Sequence, residues 1–207
     1  MNIKIIHRGW IKDYPENSIL ALKSALDRNF DGIETDLRLT KDNKWVLHHD
    51  ITLERMCSLE RNISDTDYKD IPNLYWKNKK TNIELAQVSE LIKLNIKYNK
   101  ILNLEIKEKY NCTTKENMNN LFDICKTQKN NIIFSSFDWD WYDIIKKNGY
   151  KFAHLIEHKK RLPKNGDIYF FSKKLKIPKN INVELGIFTL NLQESCDYKY
   201  NIIDSSY

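Results

Sequence analysis

The stretch Gly32-Ile33-Glu34-Thr35-Asp36-Leu37 decides the fold, because its acidic side chains alternate with uncharged ones. Successive side chains of a β-strand point to opposite faces, so the glutamate and the aspartate share one face of this strand. The stretch Ile101-Leu102-Asn103-Leu104-Glu105-Ile106-Lys107 repeats the pattern, with Glu105 and Lys107 on one face. Three carboxylates and a lysine on the inner faces of two strands, with apolar faces turned outward, predict the mouth of a β-barrel that holds a cation.

The order of extended and helical segments predicts an α/β fold, a minimal and irregular (β/α)8 TIM barrel that forms one domain over residues 1–207. Extended apolar runs recur eight times, at 3–6, 32–37, 101–106, 131–135, 151–156, 167–171, 186–190 and 201–204. Helical patterns occupy several of the gaps, starting at Pro15 and at 85–98, 115–126 and 139–147. Strands that alternate with helices are typical of a parallel barrel. The gaps after 171 and 190 are too short for full helices.

The segment after the acidic strand predicts a β-hairpin followed by an insertion. Residues 38–46 carry Asp42-Asn43 at their centre, and asparagine tolerates the left-handed conformation of a tight turn. The returning strand then leads to His49, close to the acidic strand. Residues 51–82 form the longest irregular region, and we expect them to be a short lid over the site.

Composition indicates an ordinary globular protein. The chain has 41% hydrophobic and 30% charged residues, and no apolar run approaches the ~20 residues of a membrane span. The net charge of +6 comes mostly from lysines, which follow the spacing of a solvated helix face at 93, 97 and 100. We therefore expect no nucleic-acid partner. The sequence does not indicate an oligomeric state.

The start of the chain and its cysteines indicate the cellular compartment of the protein. The first residues run directly into a strand pattern without the features of a signal peptide, which predicts a cytoplasmic protein. The four cysteines form no C-x-x-C pair, so we expect reduced, structural thiols at Cys57, Cys112, Cys125 and Cys196.

Glu34, Asp36 and Glu105 are the candidate metal ligands. Carboxylate oxygens suit a hard divalent cation, Mg²⁺ or Ca²⁺, rather than Zn²⁺. Without a cation, three clustered carboxylates would cost several kcal/mol in repulsion and desolvation. A lone acid on a strand more often pairs with a surface lysine, but two acids at i and i+2 opposite an apolar face favour the metal.

His7 and His49 are the candidate catalytic residues, since each follows an apolar strand run, where barrels carry their catalytic groups. Imidazole, with a pKa near ~6.5, suits proton transfer at neutral pH, and each such group contributes ~10²–10⁴-fold to a rate. Taken singly, a histidine is more often structural, and that role is expected for His154 and His158. His48 adjoins His49 and is easily mistaken for it.

Arg8 and Lys107 are candidate phosphate-binding residues. Arginine donates two parallel hydrogen bonds to a phosphate, and lysine supplies a compact positive charge. A divalent cation and these two side chains around one phosphate would neutralise the charge that develops as a nucleophile approaches phosphorus.

The order of these motifs resembles the glycerophosphodiester phosphodiesterase family over nearly the whole chain. The resemblance is carried by His7-Arg8-Gly9, Pro15-Glu16-Asn17-Ser18, Glu34-Thr35-Asp36-Leu37, Thr40-Lys41-Asp42, His49-Asp50 with Leu53 and Arg55, and Glu105-Ile106-Lys107. Weaker similarities follow at Ser136-Phe137, Phe188-Thr189-Leu190-Asn191 and Ile202-Ile203-Asp204.

The resemblance implies a TIM barrel of the phospholipase C-like phosphodiesterase type, which hydrolyses glycerophosphodiesters to glycerol 3-phosphate and an alcohol. It implies that the three carboxylates bind one divalent cation, that the two histidines are the acid/base pair, and that Arg8 and Lys107 contact phosphate. Attack by the neighbouring glycerol hydroxyl would give a cyclic phosphate that water then opens, and the order of the histidines stays open. Phe188 replaces the usual tryptophan, which predicts a changed glycerol pocket.

Two other functions remain open. A lysophospholipase D or sphingomyelinase D-like activity would use the same barrel together with an apolar loop that enters lipid. A catalytically silent barrel that binds a phosphodiester or a protein is motivated by the altered loops after His49 and around Phe188. The complete set of charged site residues favours the hydrolase. The sequence does not indicate the head group or the choice between Mg²⁺ and Ca²⁺.

Overall fold

The computed structural model describes residues 2–28, 30–157, 162–163, 165–175, 183–191 and 198–205. Within these residues, eight parallel strands form a barrel, and they are β1 (Ile3–His7), β2 (Gly32–Leu39), β3 (Ile101–Ile106), β4 (Ile132–Ser136), β5 (Lys151–Ile156), β6 (Ile168–Ser172), β7 (Glu184–Asn191) and β8 (Tyr200–Asp204). Each strand pairs with the next, and β1 also pairs with β8, so the sheet closes. The predicted (β/α)8 barrel is confirmed.

Helices follow each of the first four strands of the barrel. They are α1 (Ile19–Asp27), α2 (Val88–Tyr98), α3 (Lys115–Cys125) and α4 (Tyr142–Lys147). Short 3₁₀ turns lie at Ile63–Asp65, Tyr68–Asp70, Tyr110–Cys112, Lys126–Asn131 and Trp139–Trp141. The gaps predicted to be too short for helices lie partly outside the described residues. Among the described helices, none has the length and apolar character needed to cross a bilayer.

The first helix begins later than the sequence predicted. Pro15 was expected at the first helical position, but α1 begins at Ile19, and Ser18 caps it by accepting a hydrogen bond from the Ala21 N–H. Asn17 adopts a left-handed φ of 57°, which breaks any helix between Pro15 and Ser18. The prediction for Pro15 was therefore wrong, and the intervening turn frees the Asn17 side chain for other contacts.

Two apolar clusters stabilise the barrel. One lies between the sheet and the helices and contains side chains such as Leu22, Leu91, Phe134 and Trp141. The other fills the interior with Ile5, Ile133, Ala153, Leu155, Ile168, Phe170, Tyr200 and Ile202. The buried side chains of this inner cluster come from β1, β4, β5, β6 and β8. The inner faces of β2 and β3 carry polar residues at the mouth instead.

The insertion between β2 and α2 has its own small core. The predicted hairpin is present, with Trp45–Leu47 antiparallel to β2 and Asn43 at a left-handed φ of 61°. Residues 51–82 then form short strands at Thr52–Leu53, Leu59–Asn62, Tyr75–Trp76 and Lys79–Lys80 and a helical turn at Glu54–Cys57. Their buried side chains pack against Val46 and Leu85. A lid role for 51–82 stays a prediction.

The turn after β1 depends on a glycine. Gly9 has a φ of +87°, and a Cβ atom there would lie 2.6 Å from the carbonyl carbon of Ala21 in α1. Trp10 then donates its backbone N–H to the Ala21 carbonyl at 2.8 Å. The chain thus reverses tightly against α1, and the residue before Gly9 is held at the barrel mouth.

Candidate functional site

The register of the first three strands brings the predicted site residues together at their carboxyl ends. His7 of β1 pairs with Glu34 of β2, and Asp36 pairs with Glu105 of β3. Carboxyl ends of parallel barrel strands converge at one face of the fold. A cavity of about 290 Å³ opens there, and its walls include His7, Arg8, Glu34, His49, Glu105 and Lys107. Asp36 is completely buried directly behind Arg8 and Lys107.

The three carboxylates form a compact, buried cluster that fits a divalent cation. Glu34, Asp36 and Glu105 each offer an oxygen, and these oxygens lie within 4.8 Å of one another. Oε1 of Glu34 is buried without a hydrogen-bond partner, and the buried Oδ1 of Asp36 makes an ion pair with Lys107. Buried acceptors without partners are costly, whereas Mg²⁺ and Ca²⁺ take such oxygens as ligands. The donor set therefore fits the predicted cation.

Burial and mutual repulsion change the pKa values of two of these acids. Burial, followed by the nearby charges of Asp36 and Glu105, raises the pKa of Glu34 well above its usual value. Burial and the Asp36 charge raise the pKa of Glu105 to about 7. Burial alone would also raise the pKa of Asp36, but the positive charges of Arg8 and Lys107 outweigh it and hold that pKa below its usual value.

Arg8 and Lys107 compensate for part of the negative charge. Nζ of Lys107 lies 3.1 Å from Oδ1 of Asp36 and 2.5 Å from Oε1 of Glu105, and Nε of Arg8 lies 3.0 Å from Oδ2 of Asp36. With all five groups ionised, these two cations and the three carboxylates leave one negative charge. A divalent cation together with a singly charged phosphodiester would bring the site to neutrality.

Asn17 orients the central carboxylate, a role that sequence reasoning did not assign. Its Nδ2 donates to Oδ2 of Asp36 at 2.9 Å, and its Oδ1 accepts from Oγ1 of Thr35 at 2.7 Å. The side chain is buried. The only sequence signal was its place in the motif Pro15-Glu16-Asn17-Ser18.

The two candidate catalytic histidines have different surroundings. Nε2 of His7 lies 3.7 Å from Oε2 of Glu34, and burial together with the Arg8 charge lowers the pKa of His7 to about 4. Nδ1 of His49 lies 2.7 Å from Oδ1 of Asp50. Burial lowers the pKa of His49 as well, although the charge of Asp36 and the hydrogen bond to Asp50 act in the opposite direction. Both rings line the same cavity.

A chain of ion pairs links His49 to Arg8. Asp50, which contacts His49, also accepts from Nε of Arg55 at 2.6 Å. Arg55 donates to Glu16 at 2.7 Å, and Glu16 accepts from Nη1 of Arg8 at 3.0 Å. From the sequence, Glu16, Asp50 and Arg55 were identified only as members of the family motifs and were given no role. Their contacts make them positioning candidates for the residues that line the cavity.

The remaining histidines and cysteines lie elsewhere. His48 is buried and its Nε2 lies 2.9 Å from the Thr52 carbonyl oxygen, so it belongs to the insertion rather than to the cavity. His154 is buried among aromatic rings on the outer side of β5. Cys57, Cys112 and Cys125 are free thiols. His158 and Cys196 lie outside the described residues.

The wall of the cavity opposite the charged residues is mainly apolar. It contains Phe137, Leu155, Phe188 and Ile202, together with the carboxylate of Glu157. The rings of Phe137 and Phe188 pack edge to face, with their centroids 6.2 Å apart. Phe188, the predicted pocket residue, thus lines the cavity. Sequence reasoning missed Glu157, for which no motif gave a signal.

Asn103 is a further polar residue of the cavity that sequence reasoning did not single out. It is buried, and both its Nδ2 and its Oδ1 are without a hydrogen-bond partner. One feature of the sequence could have identified Asn103. It lies on β3 two residues before Glu105 and therefore shares the face of the strand that carries this acid.

Comparisons with known proteins agree in family and fold. Residues 7–186 match the model of the glycerophosphoryl diester phosphodiesterase family. Over 70 residues the chain is 43% identical to a glycerophosphodiester phosphodiesterase of Caldanaerobacter subterraneus subsp. tengcongensis, covering 34% of this chain and 29% of that protein. Over 68 residues it is 37% identical to a human lysophospholipase D, covering 33% of this chain and 22% of that protein. The matched segments thus span less than a third of either relative.

A solved structure resembles the whole barrel. An Oleispira antarctica phosphodiesterase, in complex with the product sn-glycerol-3-phosphate, superposes with a TM-score of 0.82 at 18% identity, covering 98% of this chain and 93% of that one. At this level of identity the likeness concerns the fold.

Proposed function

Because the chain belongs to the glycerophosphoryl diester phosphodiesterase family, we propose that it hydrolyses glycerophosphodiesters to glycerol 3-phosphate and an alcohol. The reaction depends on one divalent cation, Mg²⁺ or Ca²⁺, held by Glu34, Asp36 and Glu105. His7 and His49 transfer the protons.

One observation carries this proposal. Three clustered carboxylates, two histidines and two cationic side chains meet at or directly behind the wall of one cavity of about 290 Å³. A cavity of this size suits a small phosphodiester. A phosphodiesterase of the same fold forms a complex with the product sn-glycerol-3-phosphate, which is the product expected of this reaction.

The residues divide the chemistry among them. When bound, the cation polarises a phosphate oxygen and offsets the negative charge of the transition state. Arg8 and Lys107 bind the phosphate oxygens and hold phosphorus over the acidic cluster. One histidine accepts the proton of the attacking glycerol hydroxyl as its oxygen bonds to phosphorus, and the other protonates the alcohol oxygen as it leaves. Water then opens the cyclic phosphate with the proton transfers reversed.

The pKa values favour His7 as the first proton acceptor. The lowered pKa of His7, about 4, keeps this ring neutral at pH 7. At His49 the hydrogen bond to the Asp50 carboxylate offsets part of the lowering of the pKa by burial. The opposite assignment would require a charged His7 at neutral pH.

Release of glycerol 3-phosphate tests this proposal. We expect release from a panel of glycerophosphodiesters in Mg²⁺ or Ca²⁺ and none in EDTA. Glu34→Gln and His49→Ala should each abolish release while circular dichroism and thermal midpoint show a folded protein. Full activity of either variant would refute the assigned roles, and binding of diesters without turnover in any cation would support the silent barrel instead.

A lysophospholipase D activity is the second candidate. Phe137 is 46% exposed at the rim of the cavity, which gives an acyl chain an apolar surface to contact. The 37% identity to a human lysophospholipase D over 68 residues points the same way. Turnover of lysophosphatidylcholine but not of glycerophosphocholine would favour this function over the first.

A further inference from the structure

The cavity has two chemically different sides. The side formed by β1, β2 and β3 carries the acidic cluster, both histidines and the two cationic side chains. The side formed by β4, β5, β7 and β8 carries two phenylalanines, Leu155 and Ile202. A phosphate bound at the first side therefore directs one of its ester groups toward the second side.

Glu157 is the one charged side chain that the second side contributes among the described residues. It follows the end of β5, the strand four places from β1 in the ring of eight and therefore diametrically opposite. Leu155 and Glu157 are two positions apart in the sequence, and both line the cavity. Glu157 is exposed, so water reaches its side chain and placing it at the cavity carries little desolvation cost.

Glu157 has no counter-charge within the described part of the chain. The other two glutamates of the cavity have close partners, because Glu105 contacts Lys107 and Glu34 contacts His7 and the Arg8 N–H. Among the residues that the structure describes, no ion pair involves Glu157, although it lines a cavity whose far wall holds two cationic side chains. A carboxylate placed across the cavity from the phosphate site is suited to a ligand that is itself cationic at that end.

The neighbouring rings strengthen this preference. Phe137 and Phe188 line the same cavity and pack edge to face at 6.2 Å. Aromatic faces attract ammonium groups, and the attraction increases when the pair is shielded from water. A neutral alcohol gains neither the ionic nor the cation–π contribution, and an anionic one is repelled by the carboxylate.

We propose that Glu157, with Phe137 and Phe188, forms a subsite for the alcohol half of the substrate and selects amino alcohols that carry an ammonium group. The substrate class is then a zwitterionic glycerophosphodiester, with its phosphate at Arg8 and Lys107 and its ammonium at Glu157. This assignment rests on the hydrolysis proposed above.

The test compares cationic and neutral alcohols on the same enzyme. The rate constant kcat/KM is measured for glycerophosphocholine and glycerophosphoethanolamine against glycerophosphoglycerol, at low and at high salt. We expect the wild type to prefer the ammonium diesters and to lose part of this preference in high salt, since salt screens charge pairs. In Glu157→Gln the ratio of ammonium to neutral kcat/KM should fall about tenfold, mainly through KM. In Glu157→Lys the ratio should fall further.

A matched control separates this subsite from general electrostatics. Glu60→Gln removes an exposed glutamate in the insertion and should leave the ratio at its wild-type value. An unchanged ratio in Glu157→Gln overturns the subsite while the proposed hydrolysis stands. An equal fall for all three diesters overturns it too, because Glu157 would then bind the glycerol half. No release from any diester in any cation overturns the proposed function and this inference together.

Discussion

Nδ1 of His49 donates a hydrogen bond of 2.7 Å to Oδ1 of Asp50, its neighbour in the chain. The same carboxylate accepts from Nε of Arg55 through its other oxygen at 2.6 Å. Held from both sides, Asp50 fixes the tautomer of His49 and leaves Nε2 for proton transfer. Hydrogen bonds from Arg55 and His49 outweigh the effect of burial and lower the pKa of Asp50 to about 2, so this carboxylate stays ionised.

Replacing Asp50 should impair catalysis without unfolding the protein. In Asp50→Asn we expect kcat to fall at least ~10-fold, because the imidazole loses its orientation and its stabilised charge. The Asp50 hydrogen bond raises the pKa of His49, so its loss lowers that pKa further and moves the corresponding limb of the kcat profile to lower pH. The measurement is kcat against pH, with exposed Asp65→Asn as the control. An unchanged profile would contradict the role of Asp50.

Binding of a divalent cation should stabilise the folded protein. At a concentration 100-fold above Kd, a ligand specific for the folded state adds ~2.7 kcal/mol. For a chain of this size that corresponds to a rise in Tm of about 5 °C or more. Differential scanning calorimetry in EDTA, Mg²⁺ and Ca²⁺ measures it, and Glu34→Gln should lose most of the rise. An equal rise in the wild type and the variant would locate the cation elsewhere.

The contribution of Glu105 to the stability of the cation-free protein should fall as pH increases from about 4.5 to about 7, while the lowered pKa values of His7 and His154 act in the opposite direction. The pKa of Glu105 is raised to about 7 in the folded protein, so over this range the folded state keeps a proton that the unfolded state has lost. The stability that Glu105 contributes is therefore present below its pKa in the unfolded state and is lost as pH rises through its pKa in the folded state. The lowered pKa of Asp36 acts only at more acidic pH.

Urea unfolding in EDTA at a series of pH values measures this dependence. The difference in stability between the wild type and Glu105→Gln should fall between about pH 4.5 and 7, because glutamine has no proton to lose. A difference that stays constant across this window would show that Glu105 is ionised at its usual pKa.

Arg8 should not tolerate replacement by lysine. Its guanidinium contacts Glu16 and Asp36 at the same time, and a lysine ammonium cannot reproduce this fork. In Arg8→Lys we expect kcat/KM to fall at least ~10-fold, since charge-assisted hydrogen bonds contribute ~1.5–3 kcal/mol. Arg28→Lys, at an exposed pair with Asp13, is the control and should keep the wild-type value. Equal rates in the two variants would exclude a specific function of the guanidinium.

Gly9→Ala should destabilise the fold much more than Gly149→Ala. Both glycines have positive φ values, so both alanines incur backbone strain of ~1–3 kcal/mol. At Gly9 the new methyl group would also collide with the backbone of Ala21, whereas at Gly149 it meets the flexible end of Lys129. The free energy of unfolding in urea compares the two variants. Equal losses would mean that α1 shifts freely to accept the methyl group.

Much of the site could be predicted because strand alternation is visible in a single sequence. Glu34 and Asp36 share a face by their spacing, and the carboxyl ends of parallel strands converge, so Glu105 joins them. Motif order then identified His7, His49, Arg8 and Lys107.

The contacts that position the site residues join segments that are far apart in the sequence, and local sequence patterns do not predict such contacts. Glu16 meets Arg55 across 39 residues and Asn17 meets Asp36 across 19 residues. Both contacts require the left-handed turn at Asn17, which the helical pattern after Pro15 concealed. Glu157 belongs to the site only because closure of the barrel places β5 opposite β1.

The ion-pair chain from His49 through Asp50, Arg55 and Glu16 to Arg8 has a consequence for heat inactivation. Arg55 belongs to the insertion, which is held by a small apolar cluster separate from the main core. Local opening of that cluster would release Arg55 and leave both His49 and Arg8 without their anchors, while the barrel stays folded. We therefore expect heating to abolish activity at a lower temperature than it unfolds the barrel.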